Sequence, residues 1–348
     1  MKILQIIDTL DIGGAERILV NITNLLFKRG VDVSVLTTVI NGPLAEDLNP
    51  NIKIISVRRK RKYSILSMYH LFCYIKNYDI LHVHLWHNLK YVLFIKKMFQ
   101  LKNAIIFHDH FGGKYNDYFF KFFRNDFYYI GVNDELCNKA ELAGIERKKI
   151  SLLKNFVDID IKGFRSRNKI NKVILISNFH IIKNIEFAVR LINEYLKIDN
   201  IQLDIYGYIH NQAYYNKIVK NIKSAGLSDN INIITDCKNI TEVLLNYDFG
   251  LHVSKYETGP LVLLEYIMTR IPFLTYNTGD VAKEVSSVIP EFVNDDFDIK
   301  NWVKRLQFGL SNKALLRERM DGLNDFELLK DECYNKCQKV YTIIKNSL

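Results

Sequence analysis

Short apolar runs rich in Ile, Val and Leu alternate with longer stretches whose apolar residues return every three or four positions, a pattern that predicts strands interleaved with helices. The first run, Lys2 to Ile7, leads to a helix from about Ala15, in which Ile18, Leu19, Ile22, Leu25 and Leu26 recur at helical spacing. Further strands are expected at Val31 to Thr38, Ile80 to His84, Ala104 to His108 and Tyr129 to Val132. A second set follows at Lys172 to Ser177, Gln202 to Gly207, Asn230 to Thr235, Phe249 to Val253 and Pro272 to Tyr276, with helices such as Ile185 to Leu196 and Tyr214 to Ala225 between them. This alternation implies α/β architecture with parallel sheets covered on both faces, in two doubly wound, Rossmann-like domains. Leu153 to Asp158, followed by the polar stretch Lys162 to Asn171, is the expected hinge.

The segment after Phe249 to Val253 carries the most chemistry. Glu257 and Glu265 stand eight residues apart around Thr258, Gly259 and Pro260, and Leu261 to Leu264 follow as an apolar run. With Pro260 expected at the first helical position, the next backbone amides point out of the helix start, where the macrodipole also favours an anion. A diphosphate fits there. Glu265, about one and a half turns into the helix, could accept hydrogen bonds from a ribose, with Glu257 nearer a sugar. An ordinary capped helix with a leucine core would share this composition, so the context decides. A strand, a phosphate-facing turn and a helix, in that order, is how open α/β sheets bind nucleotides.

Ser254, Glu257, Gly259, Leu261, Glu265, Pro272 and Gly279 resemble the donor-site signature of the family 4 retaining glycosyltransferases of group 1 type. The resemblance extends along nearly the whole chain. It implies the GT-B fold, two such domains facing across a cleft, with an acceptor-side domain over 1–160 and a nucleotide-sugar domain over 161–325. It also implies that a carboxy-terminal helix, within 326–348, crosses back to the first domain. An ordinary terminal helix of the second domain is the other reading of that segment.

The same resemblance assigns further residues. Asp11-Ile12-Gly13-Gly14-Ala15-Glu16-Arg17 lies between the first strand and helix, and a similar segment in the family borders the active site. Gly14 is carried over as a donor contact, while Arg17 reads equally as a solvated helix residue. The pattern is not the three-glycine dinucleotide fingerprint, and Ser177-Asn178-Phe179-His180 opens the second set without glycines, which disfavours a nicotinamide enzyme. His108 resembles the histidine that contacts the transferred sugar, and a plain hydrogen-bonded strand-end residue is its alternative. Family members place an arginine and a lysine five residues apart to stabilise charge on the departing phosphate. This chain has Asn178 and Lys183 there, so one charge of that clamp is missing.

His82, His84 and His87 surround a strand end, with His82 and His84 on one face. No carboxylate or cysteine accompanies them locally and no acidic metal-binding triplet is evident, so neither a metal nor another cofactor is expected. The five cysteines lack paired metal-ligand spacing and read as reduced thiols; Cys333 and Cys337 would share a helix face.

Charge adds a partner. The net charge is +10, and residues 1–160 hold 23 Lys and Arg against 16 Asp and Glu, which leaves seven of those ten charges in the front part. Arg58, Arg59, Lys60, Arg61 and Lys62 form the densest run and would be drawn to an anionic membrane surface, with simply solvated charge as the other reading. No nucleic-acid recognition fold is visible. Without a membrane-length apolar stretch or a signal-peptide pattern, the expectation is a cytoplasmic protein attached peripherally to the inner membrane face.

The expected function is retaining transfer of a sugar from a nucleotide-diphosphate donor to a saccharide or lipid-linked saccharide acceptor in surface-polysaccharide assembly. Glu257, His108 and Lys183 are the expected catalytic residues, with Gly14, Asn178, Thr258, Gly259, Pro260, Leu261 and Glu265 at the donor. Two alternatives stand beside it: another GT-B nucleotide-sugar enzyme such as an epimerase, and a catalytically impaired nucleotide-sugar-binding subunit, motivated by Asn178.

Overall fold

The computed structural model describes residues 1–59, 65–112, 118–159, 171–237 and 240–346. The chain forms two compact units, one of Met1–Phe156 with Leu329–Leu348 and one of Val157–Leu328. Most of the polar stretch expected as a hinge lies outside the described residues.

In the first unit the strands are β1 (Lys2–Thr9), β2 (Asp32–Ile40), β3 (Ile54–Ser56), β4 (Ile80–His84), β5 (Ala104–Asp109), β6 (Tyr128–Gly131) and β7 (Ile150–Leu152). They pair in the order β3-β2-β1-β4-β5-β6-β7, and every pairing is parallel. Helices α1 (Gly14–Lys28), α2 (Ile65–Ile75), α3 (Trp86–Met98), α4 (Tyr118–Phe123) and α5 (Asp134–Leu142) supply the crossovers. A strand with neighbours on both edges and helices on both faces is enclosed throughout, and all five residues of β4 are buried. The expected strands and helices are present, with ends shifted by one or two residues; β3 and β7 were not anticipated.

The second unit repeats the plan. Its strands are β8 (Asn171–Ile176), β9 (Ile201–Tyr206), β10 (Ile231–Ile234), β11 (Phe249–His252), β12 (Phe273–Tyr276) and β13 (Val293–Asn294), in the parallel order β10-β9-β8-β11-β12-β13. Helices α6 (Ile185–Tyr195), α7 (Gln212–Ser224), α8 (Ile240–Leu244), α9 (Leu261–Met268), α10 (Gly279–Val288), α11 (Ile299–Ser311) and α12 (Lys313–Arg319) connect and cover them. The last helix, α13 (Leu329–Lys345), belongs to the first unit, where Arg29, just past the end of α1, pairs with Asp331 at 2.5 Å. Its buried face includes Cys333, Cys337, Val340 and Tyr341, so the two cysteines do share a face, as free thiols.

In each sheet the direction of winding reverses once, between β1 and β4 and between β8 and β11. Ligands of doubly wound sheets bind outside the carboxyl ends of the strands at such points. In the second unit this point is fixed by Tyr266 on α9, a fully buried ring whose hydroxyl donates to Ile174 O (3.1 Å) or Leu251 O (3.2 Å), on β8 and β11. Gly250 makes room for it: an added Cβ would stand 2.7 Å from the ring. Because overpacking of a rigid, hydrogen-bonded ring costs about 1–3 kcal/mol, Gly250→Ala should lower the urea midpoint of unfolding. An unchanged midpoint would show that α9 is not held this way.

Candidate active site

At the switch point of the second unit, Ser177 and Asn178 follow β8 and a short 3-10 turn, Ile181–Lys183, precedes α6. Asn184 joins turn and helix in the left-handed region (φ 55°, ψ 35°), a conformation asparagine tolerates better than most residues. That turn aims Lys183 at the loop beyond β11, where its Nζ lies 2.5 Å from Glu257 Oε1. Backbone reinforces the approach, since Lys255 N donates to Ile182 O at 2.9 Å.

Glu257 has a second partner. The same Oε1 is 3.3 Å from His252 Nε2, and His252 Nδ1 is 2.9 Å from Thr275 Oγ1 on β12. Burial by itself would push the Glu257 carboxyl up, but the His252 hydrogen bond and the Lys183 charge outweigh it and bring the pKa down to about 2. Glu257 is therefore a carboxylate held between two basic side chains. His252 was missed by sequence reading; its place at the last residue of β11, five before Glu257, was the available signal.

The loop between Glu257 and α9 is tied to the start of α10. Glu257 N donates to Thr278 Oγ1 at 2.9 Å and Asp280 N to Thr258 O at 3.2 Å. Gly279 adopts φ +77°, and a Cβ there would come within 3.0 Å of Pro260 Cδ and 3.1 Å of Thr258 O, so glycine is required on both counts. Pro260 is extended (φ −69°, ψ 116°) and caps α9, whose first helical residue is Leu261. This corrects the expectation of Pro260 at the first helical position by one residue: its ring fixes φ but leaves ψ free to stay extended. The amides at the head of α9 follow at once, with Leu263 N reaching Pro260 O at 3.3 Å. Glu265 lies half-buried in the second turn. Asn178 Oδ1 accepts from Tyr208 N at 3.0 Å, so this side chain anchors the loop after β9.

The switch point of the first unit collects a different set. Gly13 is extended (φ −149°) and Gly14 begins α1. An added Cβ at Gly14 meets nothing within 4 Å, whereas at Gly13 it would fall 2.2 Å from Glu16 Oε2. The close approach is thus made by the chain's own Glu16, which folds back over Gly13, and Gly14 borders open space. Burial raises the Glu16 carboxyl to about 7, and Asp8 and Asp11 push the same way. Asp8 pairs with His87 at 3.1 Å, so His87 does have a carboxylate beside it and stands apart from His82 and His84. Arg17 pairs with Asp47 at 2.6 Å.

His82, His84, His108 and His110 are all buried at the ends of β4 and β5, where the register sets His84 opposite His108. One ligating nitrogen from each of His82, His84 and His108 lies within 4.8 Å of the others, and the rings of His82 and His84 stack at 4.9 Å with an interplanar angle of 11°.

The family described as Glycosyltransferase Family 4 matches residues 12–161, and that described as Glycosyl transferases group 1 matches residues 157–322. Compared with curated proteins, the sequence has no match. Among solved structures, Anabaena HepE in complex with UDP and glucose is similar over 99% of this chain and 100% of its own, with a TM-score of 0.81 at 13% identity. A S. aureus TarM variant in complex with Fondaparinux, alpha-GlcNAc-glycerol and UDP is similar over 98% and 100%, with a TM-score of 0.78 at 13% identity. The lipopolysaccharide outer core galactosyltransferase WaaB in its apo form covers 96% and 98%, with a TM-score of 0.66 at 16% identity. These likenesses show that the two units have the GT-B fold.

The raised Glu16 carboxyl has a consequence for stability. Between about 4.5, its ordinary value, and about 7, the folded chain holds this proton more tightly than the unfolded chain, so stability falls as pH rises through that window. Glu16→Gln removes the ionisation. Its thermal midpoint should match the parent near pH 4.5 and exceed it at pH 8; the same difference at both pH values would rule out a raised Glu16.

Proposed function

Because the chain belongs to the glycosyltransferases, with a family 4 region followed by a group 1 region, we propose that it moves a sugar, with retention, from a nucleotide diphosphate to a saccharide or lipid-linked saccharide acceptor. The observation that carries this reading is the Lys183–Glu257–His252 cluster beside the head of α9, at the winding reversal of the second sheet. Uridine diphosphate is the donor nucleotide to test first, since HepE and TarM are solved with UDP. TarM also holds saccharide ligands and WaaB is a lipopolysaccharide enzyme, which supports surface-polysaccharide assembly as the setting.

In this reading the diphosphate lies against the amides that open α9, where unpaired N–H groups and the helix dipole favour it. Lys183 stabilises the charge that grows on the phosphate as the glycosidic bond breaks. Glu257, an anion under all ordinary conditions, holds a sugar hydroxyl or steadies positive charge at the anomeric carbon; it is not a covalent nucleophile. Glu265 takes the ribose hydroxyls. The acceptor hydroxyl attacks on the leaving-group face and gives its proton to the departing phosphate. Asn178, Thr258, Gly259, Pro260 and Leu261 line the donor, Gly14 borders it, His108 contacts the sugar, and neither metal nor another cofactor takes part.

A membrane surface completes the proposal. No helix among the described residues is long and apolar enough to cross a membrane. Arg58 is exposed, Arg59 lies over the Tyr91 ring at 4.7 Å, and Lys60, Arg61 and Lys62 lie outside the described residues. Attachment to an anionic inner membrane face through this run fits a lipid-linked acceptor.

Two experiments test these readings. Purified protein incubated with a panel of nucleotide sugars and an acceptor mixture should release free nucleotide, followed by mass spectrometry, and form a glycosylated product. Glu257→Ala should lower turnover by about 10²-fold or more; undiminished turnover would remove the central assignment, and rearrangement of the sugar without transfer would favour an epimerase. Separately, neutralising Arg58 to Lys62 should weaken binding to vesicles containing phosphatidylserine, and unaltered partitioning would argue for an acceptor reached from solution.

A further inference from the structure

Five side chains of the first unit, all buried, form one hydrogen-bonded series. His84 Nδ1 is 2.8 Å from His110 Nε2, and His84 Nε2 is 2.8 Å from Gln5 Oε1. On the far side of the glutamine, Gln5 Nε2 is 3.4 Å from His82 Nδ1, and His82 Nε2 is 3.3 Å from His108 Nδ1. The series ends at His108 Nε2, a buried nitrogen without a partner among the described residues.

The protons in such a series cannot be placed one at a time. Burial lowers the His82 and His110 pKa values to about 3 and those of His84 and His108 well below the ordinary value, so each ring is neutral with one N–H and one bare nitrogen. Gln5, alone among the five, has a carbonyl that only accepts and an amide that only donates. With its carbonyl facing His84, His84 must carry its proton on Nε2. Its Nδ1 is then bare and accepts from His110 Nε2–H. In the other direction the Gln5 amide donates to His82 Nδ1, so His82 carries its proton on Nε2 and gives it to His108 Nδ1. His108 is left with its own proton on Nε2.

Tyr341 on α13 stands at the same nitrogen, its hydroxyl 3.1 Å from His82 Nδ1, and a hydroxyl can donate there or accept, so it fits either direction. If Gln5 were turned over, each tautomer would reverse and His108 Nε2 would become an acceptor. Gln5 is therefore the element that sets the polarity of the array, from a strand that does not itself carry the histidines.

We propose that Gln5 is a positioning residue that fixes His108 as an Nε2–H donor, so that the ligand atom it receives is an oxygen lone pair of the transferred sugar and His108 does not serve as a general base. The sugar as ligand rests on the function proposed above; the tautomer does not. An unpaired buried N–H is costly, and an oxygen reaching it recovers that cost.

Long-range ¹H–¹⁵N correlation spectra of the ¹⁵N-histidine-labelled protein, with His82 and His108 assigned by single His→Gln substitutions, test the proposal directly. His82 and His108 should both show the Nε2–H pattern in the unaltered protein, and an Nδ1–H pattern at His108 overturns the proposal whether or not any donor is turned over. In Gln5→Leu, if it is folded by near-ultraviolet circular dichroism, the His108 signals should shift toward a tautomer mixture while kcat falls about tenfold or more with a smaller change in the donor KM. Unchanged His108 signals in that variant would also overturn it. A wrong sugar assignment shows itself differently, as His108→Ala turnover equal to that of the parent with the Nε2–H pattern intact.

Discussion

A polar side chain enclosed at the end of a parallel strand is costly unless each of its hydrogen-bonding atoms finds a partner. Both sheets are parallel throughout, and their central strands are covered on both faces, so polar residues at the carboxyl ends are under pressure to be matched. In the second unit the matching is ionic: Glu257, which burial alone would neutralise, stays charged because Lys183 and His252 reach it. In the first unit it is neutral: four histidines that burial strips of charge are joined through Gln5, with His108 Nε2 left open at the end of the series. The same constraint thus produces a charged cluster in one unit and a proton-ordered one in the other, each where its sheet reverses direction.

How much of this could be read from the sequence depends on range. The strands Ile80 to His84 and Ala104 to His108 were legible because each is an apolar run of strand length, and β4 is found with the expected bounds. β3 and β7, of three residues each, and β13, of two, fall below the length at which periodicity is visible. The Glu257 loop and the helix after it were legible as a local pattern, down to the one-residue displacement of Pro260. The pairing of Glu257 with Lys183 was not, because 74 residues separate them and only the adjacency of β8 and β11 brings them together. Gln5 carried no signal at all: a single polar residue in an apolar strand becomes meaningful only when β4, β5 and α13 are packed around it.

The two adjacent glycines at the start of α1 have different surroundings. At Gly13 the space is taken by Glu16 of the same chain, and only Gly14 faces open volume. The pair therefore divides its work, one residue admitting a neighbouring side chain and the other leaving room outside.

Asn178 presents the same lesson in charge. The resemblance to family 4 enzymes leads to an arginine at this position, and an arginine has five donors but no acceptor. Asn178 instead accepts a hydrogen bond from Tyr208 N, a contact that no arginine could make. Relative to the arginine of the resemblance, the chain gives up a cation here and gains a fixed connection between the loops after β8 and β9. In the proposed donor site Lys183 would carry the cationic part of the clamp, and in the structure its charge is balanced by Glu257 at 2.5 Å. In the proposed donor site a diphosphate would compete with Glu257 for Lys183, while His252, anchored to Thr275, also holds the carboxylate.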